Sequence, residues 1–308
     1  MGIILGIILL IVAVCFAVGK SSAKDRLEQI TSSSKQKIGE LIQVLQQTKD
    51  ALDGIGDDGA IKENVTVVGQ PQCQSPLTSP IGGMPCLYYR YKITVITKVR
   101  YQETDDNGNT HWETRTEEDT LDEGSAAVAT FMLSDDTGKI IVEPNQDDSF
   151  EGLVKTVDRS ERNFQNNAMF RGNQLSLGRL SIDVGDLFAM DAYDAHDYRR
   201  IGSRNHMPMH PSHHLSQIMD RGSMPETIKY VEEVLGLDRR LTAVGTICDS
   251  MGDFRLRKHG DNPLILSTKS REDMIKETEN SIQNRGLGFS ICGVLGLIFL
   301  ILGICGVF

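Results

Sequence analysis

Five of the seven histidines fall between His196 and His214, in the runs Asp194-Ala-His-Asp-Tyr198 and His206-Met-Pro-Met-His-Pro-Ser-His-His214. Neutral imidazoles beside carboxylates are ligands for zinc, copper or nickel, and Met207 and Met209 would add soft sulfur. His196, His206, His210, His213 and His214 are therefore the candidate metal ligands, and a transition metal is the one cofactor the residues suggest. On this reading the chain is a metal-binding or metal-dependent membrane enzyme. The competing reading is a solvated polar insertion of biased composition. Pro208 and Pro211 exclude a regular helix, so the paired-histidine helix of a metalloprotease does not fit. No catalytic residue is assigned, because the chain has no nucleophile elbow, no phosphate-binding loop and no glycine-rich dinucleotide fingerprint.

The elements that must position such a loop begin with two uncharged runs. Gly2 to Gly19 and Gly286 to Phe308 contain no charged residue, and every Lys, Arg, Asp and Glu lies between them. A bilayer core of about 30 Å needs roughly 20 apolar helical residues, so each run is long enough to span. The first has no basic residue before it and no small-x-small cleavage site, and reads as an anchor rather than a cleaved signal. Lys20, Lys24 and Arg26 follow the first run, and Arg271, Lys276 and Arg285 approach the second. By the basic-residue bias this places the middle domain in the cytoplasm, although Asn64-Val-Thr66 is a glycosylation sequon and argues the other way. The net charge of −10 excludes nucleic acid held by bulk charge and leaves the lipid bilayer, with a protein partner at its surface, as the expected contacts. Oligomeric state is not legible.

Between the anchors, Ile38, Leu41, Leu45 and Leu52 have helical spacing, which predicts an amphipathic stalk helix within 20–60, interrupted at Ser32-Ser-Ser34. Residues 61–145 are strand-rich: Asn64–Val68, Leu87–Ile96, Ala129–Leu133 and Lys139–Val142 are β-branched or aromatic, and Asp106-Asn-Gly108 is a hairpin turn. They read as an antiparallel meander. Residues 146–224 read as a polar His/Met-rich insertion of local helix and loop. In 225–284 we expect a short helix over Glu226–Leu235, three strands at Leu241–Ile247, Asp253–Arg257 and Leu264–Ser267, and a helix from Ser270, capped with Asp273, that runs into the second anchor at 285–308. Of the six cysteines, Cys73, Cys86 and Cys248 lie outside the anchors, and Cys73 and Cys86 form either a bridge or two reduced thiols according to compartment.

The segments Val67-Val-Gly69, Cys73-Gln-Ser-Pro-Leu-Thr-Ser-Pro80, Cys86-Leu-Tyr-Tyr-Arg90 and Phe131-Met-Leu-Ser-Asp-Asp-Thr-Gly138 resemble the first half of the GIDE domain. Glu232-Glu-Val-Leu-Gly-Leu-Asp-Arg-Arg-Leu-Thr-Ala-Val-Gly245, Gly252-Asp-Phe-Arg-Leu256 and Asn262-Pro-Leu-Ile-Leu-Ser-Thr-Lys-Ser270 resemble its second half, in the same order. This is the membrane-associated domain of organellar outer-membrane RING-type ubiquitin ligases and of prokaryotic relatives. The resemblance implies a helix anchor on each side of the domain. It marks Gly69, Pro76, Leu77, Pro80, Cys86, Tyr88, Tyr89, Asp135, Gly138, Glu232, Gly236, Val244, Gly245, Gly252 and Phe254 as family-motif positions, which read as structural. In the ligases a zinc-binding RING follows the second anchor. Here the sequence ends within that run, so ligase activity is not expected to carry over. The sequence thus predicts an α+β, β-rich soluble domain flanked by two transmembrane helices. Its expected role is a non-enzymatic, membrane-tethered interaction or sensing domain.

Overall fold

The computed structural model describes residues 2–51, 61–104, 110–162, 170–171, 174–183, 225–250, 253–260 and 262–304. In chain order they form helix α1 (Gly2–Ser32), strand β1 (Ser34–Lys35), helix α2 (Ile38–Ala51), β2 (Lys62–Gln72), β3 (Leu77–Thr78), β4 (Pro85–Thr104), β5 (Thr110–Ala127), β6 (Phe131–Ser134), β7 (Lys139–Glu143) and β8 (Ser149–Glu151). These are followed by β9 (Val154–Arg162), β10 (Phe170–Arg171), β11 (Gln174–Leu177), β12 (Leu180–Asp183), β13 (Pro225–Gly236), β14 (Leu241–Ser250), β15 (Asp253–Arg257), β16 (Ile265–Ser267) and helix α3 (Arg271–Ile304). A β-rich domain between two long apolar helices is the class the sequence predicts. The chain divides into two compact units. The first takes Met1–Cys73, Ala129–Gly152 and Asp238–Phe308, and the second Gln74–Val128 and Leu153–Leu237.

In the first unit the strand pairings run β2–β6–β7–β15–β14 and return to β2, so the circuit closes. Every step is antiparallel except β7–β15. Numbered along the chain, the circuit reads first, second, third, fifth, fourth, first, which is the strand order of a five-stranded Greek-key barrel of the OB type. The antiparallel meander expected from the sequence is corrected by this finding. A meander pairs only strands adjacent in sequence, whereas β2 pairs with β14 from Leu241↔Gly69 to Cys248↔Lys62. Strand β14 is buried on both faces. Its Val244 packs with Ile265 against Ile30 of α1 and Met274 of α3, while Leu241, Ala243 and Ile247 point to the opposite face and are also buried.

Helices α1 and α3 run antiparallel along their lengths. Ile30 meets Met274, Arg285 meets Gly19, Phe16 lies over Gly288, and Gly6 faces Gly296 and Leu300. Glycine lets the backbones approach: a Cβ on Gly6 would meet the Leu300 nitrogen at 2.9 Å. Each helix is long and apolar enough to cross a membrane. Their outer apolar side chains are not core: Ile4 is 62% exposed and Ile301 59%. Helix α1 does not stop at the end of its uncharged run but continues to Ser32. The expected stalk is therefore two elements, the polar end of α1 and the separate α2. The Ser32-Ser-Ser34 run makes the break, with the Ser33 hydroxyl donating back to the Ile30 carbonyl at 2.7 Å. The Ser270–Asp273 cap of α3 is observed, with Asp273 N donating to Ser270 Oγ at 3.1 Å. Asn64 of the sequon donates its amide to the Gln29 carbonyl at 2.9 Å, and Thr66 is fully buried, so both ends of that motif serve the packing of β2 on α1.

The start of α2 is capped from elsewhere in the chain. Ile38 N donates to Asp135 Oδ2 at 2.9 Å and Gly39 N to Thr137 Oγ1 at 2.8 Å. Asp135 Oδ1 meanwhile accepts from Thr137 N at 2.8 Å, Gly138 N at 2.9 Å and Thr137 Oγ1 at 2.7 Å, closing the turn between β6 and β7. Burial pushes the Asp135 carboxyl up, but the donations from Ile38, Thr137 and Gly138 outweigh it and hold the group below its ordinary value. Its ionised form therefore stabilises the fold above the unfolded carboxyl value of about 4, and that contribution is lost as pH falls through the lower folded value. Asp135→Ala should cost about 1–2 kcal/mol at neutral pH. In melting curves of the detergent-solubilised chain, the gap between variant and wild type should close once the pH drops below about 4.

Candidate functional site

The five candidate metal ligands His196, His206, His210, His213 and His214 lie outside the described residues, as does the motif glycine Gly252. The other motif positions fall in both units. Glu232 lies on β13, a strand, where the sequence predicts a helix over Glu226–Leu235. Ile228, Tyr230, Glu232 and Val234 alternate inward, and Ile228 and Tyr230 join a core with Ile93, Val95, Leu175 and Leu177. A charged residue occupying one inward position, beside helix-favouring Glu233 and Leu235, hides the two-residue period.

The Glu232 carboxylate is fully buried and fully used. Oε2 accepts from Ile81 N at 2.7 Å, and Oε1 accepts from Gly82 N at 3.0 Å and from the Thr156 hydroxyl at 2.8 Å. A Cβ on Gly82 would stand 2.7 Å from Oε1, so a side chain there would push the carboxylate off its partners. This is a clamp that holds three segments of the second unit together, not an acid open to a substrate. Glu233 points to the other face and pairs with Arg90, whose Nε is 2.6 Å from Oε2.

Cys86, buried at the start of β4, has its thiol pushed up to about 11 by burial, with the charge of Glu232 acting in the same direction. Its Sγ lies 3.8 Å from the Leu77 carbonyl on β3, and Cys73 Sγ lies 3.9 Å from the Thr130 carbonyl. Both thiols are free, Cys86 buried and Cys73 half-buried. Tyr88 and Tyr89 point to opposite faces of β4. Tyr88 is buried, and Tyr89 stacks on Tyr91 with ring centroids 6.4 Å apart. Tyr91 donates to Asp122 at 3.1 Å and lies over Gly124, and its hydroxyl is pushed to about 12, first by burial and then by the Asp122 charge.

The remaining motif residues are also framework. Pro80 offers its carbonyl to Arg179 N at 2.7 Å, which docks the β11–β12 turn, and Pro76 is an exposed residue just before Leu77 on β3. A Cβ on Gly69 would meet the Ser134 carbonyl at 2.7 Å, and one on Gly245 would meet Leu264 at 2.8 Å. Gly236 ends β13 opposite Cys86, and the Phe254 ring lies beneath Lys49 of α2, 5.9 Å from its Nζ. The segment expected as a polar insertion also contributes to the core. Strand β9 pairs along β13, and β11 sends Leu175 and Leu177 into the hydrophobic cluster.

A second feature of this unit is an arm. Among the described residues β13 pairs with β4 as far as Thr97, and β4 and β5 stay paired beyond it from Lys98↔Thr116 to Thr104↔Thr110. The Asp106-Asn-Gly108 turn lies outside the described residues, and β4 and β5 are antiparallel on either side of it. Trp112, the only tryptophan in the chain, is 69% exposed on this arm. On the opposite face, His111 stands across from Glu103 and next but one to Glu113. The ligand atoms of these three lie within 4.8 Å of one another, and all are exposed. They could hold a divalent ion, and this group is absent from the sequence-based candidates. The Asn-Gly signal alone would not have found it: a two-residue Asn107-Gly108 turn would set Glu103 opposite Trp112, whereas the observed register sets it opposite His111.

Two outcomes check this account. Glu232→Ala should lower stability by about 3 kcal/mol, since two backbone N–H groups and a hydroxyl lose their acceptor. In denaturant titrations its midpoint should fall well below that of Glu233→Ala. With a thiol near 11, only about one Cys86 in a thousand is thiolate at pH 8. Peptide mapping after timed alkylation of the folded chain should therefore find Cys73 modified well before Cys86.

In comparisons with known proteins, the family model GIDE, described as E3 Ubiquitin ligase, matches residues 204–303. The matched span holds β13 to β16 and nearly all of α3, while the motifs from Val67 to Gly138 lie outside it. No curated protein and no solved structure matches the chain significantly. The match takes in Glu232–Gly245, Gly252–Leu256 and Asn262–Ser270, so over residues 204–303 the chain is similar to the GIDE family, as those segments predict.

Proposed function

We propose that the chain is a non-enzymatic, membrane-tethered GIDE-type domain that binds a protein partner beside the bilayer, with the domain on the cytoplasmic side and without ligase activity of its own. The observation that carries this reading is the β4–β5 arm with its exposed Trp112. A two-stranded ribbon alone in water is marginal, and a large aromatic exposed on it is a liability unless it has a use. Tryptophan is the residue most enriched at binding hot spots. The buried acids Glu232 and Asp148 favour the same reading, since each is spent on protein N–H groups: Asp148 accepts from Asn145 N at 2.6 Å and Leu264 N at 3.2 Å.

The tether rests on α1 and α3. Their uncharged runs begin at the same level of the antiparallel pair, where Gly19 meets Arg285, as two spans entering one bilayer would. Basic residues Lys20, Lys24 and Arg285 beside that level support the cytoplasmic side. Holding both ends of the domain at the surface raises the effective concentration of membrane-bound neighbours.

Proximity labelling in intact cells, with the label on the full chain, tests the proposal. A reproducible set of membrane neighbours is expected, and Trp112→Ala should cut their labelling by about tenfold. Stability should change by no more than about 0.5 kcal/mol, as for an exposed site. An identical neighbour set for wild type and variant would sink the arm as the binding site.

A further inference from the structure

Strand pairing sets three ligand-bearing side chains on one face at the far end of the β4–β5 arm. Glu103 stands opposite His111, and Glu113 follows His111 at the two-residue period of a strand. On such a face the i, i+2 pair is about 7 Å apart at the backbone and the cross-strand pair about 5 Å, so side chains of this length can reach one point. Here they do: one ring nitrogen of His111 and one oxygen from each glutamate lie within 4.8 Å of one another. His111 Nε2 and Glu113 Oε1 are 3.2 Å apart. Donors held about 2 Å from a tetrahedral ion stand roughly 3.3 Å from each other, so this pair is already at ligand spacing. The Glu103 carboxylate is exposed and has room to close in as the third ligand.

Two carboxylates and an imidazole thus converge in a space open to solvent, where exposed like charges are free to swing apart. A divalent cation between them turns that repulsion into attraction, and the donor set selects its class. Calcium and magnesium take sets made of oxygen, whereas one imidazole nitrogen with two carboxylate oxygens suits zinc and its neighbours in the first transition row. Three protein ligands leave a fourth position for water. The ordinary alternative is a surface ion pair between protonated His111 and Glu113, which gives Glu103 no part.

We propose that Glu103, His111 and Glu113 form a site for a divalent transition-metal ion, with zinc as its representative, which clips β4 to β5 at the far end of the arm. Beyond Thr97 no third strand pairs with either of them among the described residues. A two-stranded ribbon is marginal in water, and an ion that takes ligands from both strands adds its binding free energy to keeping them paired. Trp112 lies on the other face of the ribbon, so the ion and a partner held by Trp112 would occupy opposite sides. The metal site therefore stands or falls apart from the partner-binding reading.

The full chain in detergent is treated with diethylpyrocarbonate at a series of free zinc concentrations fixed by a chelator buffer. Peptide mapping follows each histidine separately, so zinc taken up by the histidines of 196–214 does not enter the result. Modification of His111 should slow several-fold as zinc rises and recover on adding excess EDTA. Glu103→Gln keeps the His111–Glu113 pair and should move the protection to markedly higher zinc, and Glu103→Gln/Glu113→Gln should abolish it. Calcium at the same free concentrations should leave the rate unchanged. Hydrogen exchange of the arm amides beyond Thr97 should slow with zinc in wild type but not in His111→Gln, whose remaining strands should exchange as in wild type. A His111 that zinc does not protect, protection that Glu103→Gln leaves unchanged, or equal protection by calcium overturns the site. Arm exchange that ignores zinc overturns the clip. Trp112→Ala should keep the zinc protection in full, so loss of the partner surface and loss of the metal site are read separately.

Discussion

Arg271 gathers the end of α1. Its guanidinium donates to the carbonyls of Ile30 (2.9 Å), Thr31 (3.0 Å) and Ser33 (3.4 Å). Those carbonyls are among the groups a helix C-terminus leaves unpaired, and α1 has no basic residue of its own in its last turn. Because Arg271 is the first residue of α3, one side chain caps the end of α1 and fixes the start of its antiparallel partner. Ile30 and Met274 then close on Val244 and Ile265, so the same junction seats both helices on the barrel. Gln29 adds a bond to the Pro263 carbonyl at 2.6 Å, and Asn64 of β2 returns one to Gln29. The positions of α1 and α3 below this point follow from it.

The acids of the described core share one task. Asp135 caps α2 and closes the β6–β7 turn, Asp148 ties the loop before β8 to Leu264, and Glu232 clamps Ile81, Gly82 and Thr156. In each case a carboxylate bonds to backbone N–H groups in irregular segments that no strand could satisfy. Such bonds explain why these acids sit in fixed positions without invoking chemistry, since leaving buried donors unpaired costs more than the net worth of an ordinary hydrogen bond. Asp148 shows the opposing term most plainly: burial pushes its carboxyl up despite the two N–H groups it accepts.

The sequence was most legible where one force dominates. Uncharged runs gave both long helices, the spacing of Ile38, Leu41 and Leu45 gave the buried face of α2, and the turn signal between two polar arms marked the antiparallel pairing of β4 with β5. It misled where a tertiary contact replaces the local signal. The buried Glu232 breaks the alternation of β13, because its partners Ile81 and Thr156 lie far away in sequence. The cap of α2 was invisible for the same reason, since Asp135 comes from a distant turn. Leu175 and Leu177 looked isolated in polar sequence because β11 is short and its core partners are Ile93 and Ile228. The Glu103–His111–Glu113 group stayed hidden because it depends on the register, and a two-residue Asn107-Gly108 turn would have set that one residue away, with Glu103 opposite Trp112.

The order of strands also bears on how the chain folds. The second unit is built from two excursions out of the barrel, one between β2 and β6 and the other between β7 and β14. Its central pairing, β4 with β13, joins one excursion to the other, and the barrel itself closes only when β2 finds β14. Both steps bring together residues far apart in sequence, which makes them slow and leaves strand edges exposed meanwhile. Pairing of α1 with α3 removes part of that cost, because closing a loop of some 250 residues beforehand saves on the order of 5 kcal/mol of chain entropy. The helix pair therefore does more than hold the domain in place. By fixing both ends of the chain at Arg271 and Ile30, it narrows the search that β2 and β14 must make to close the barrel.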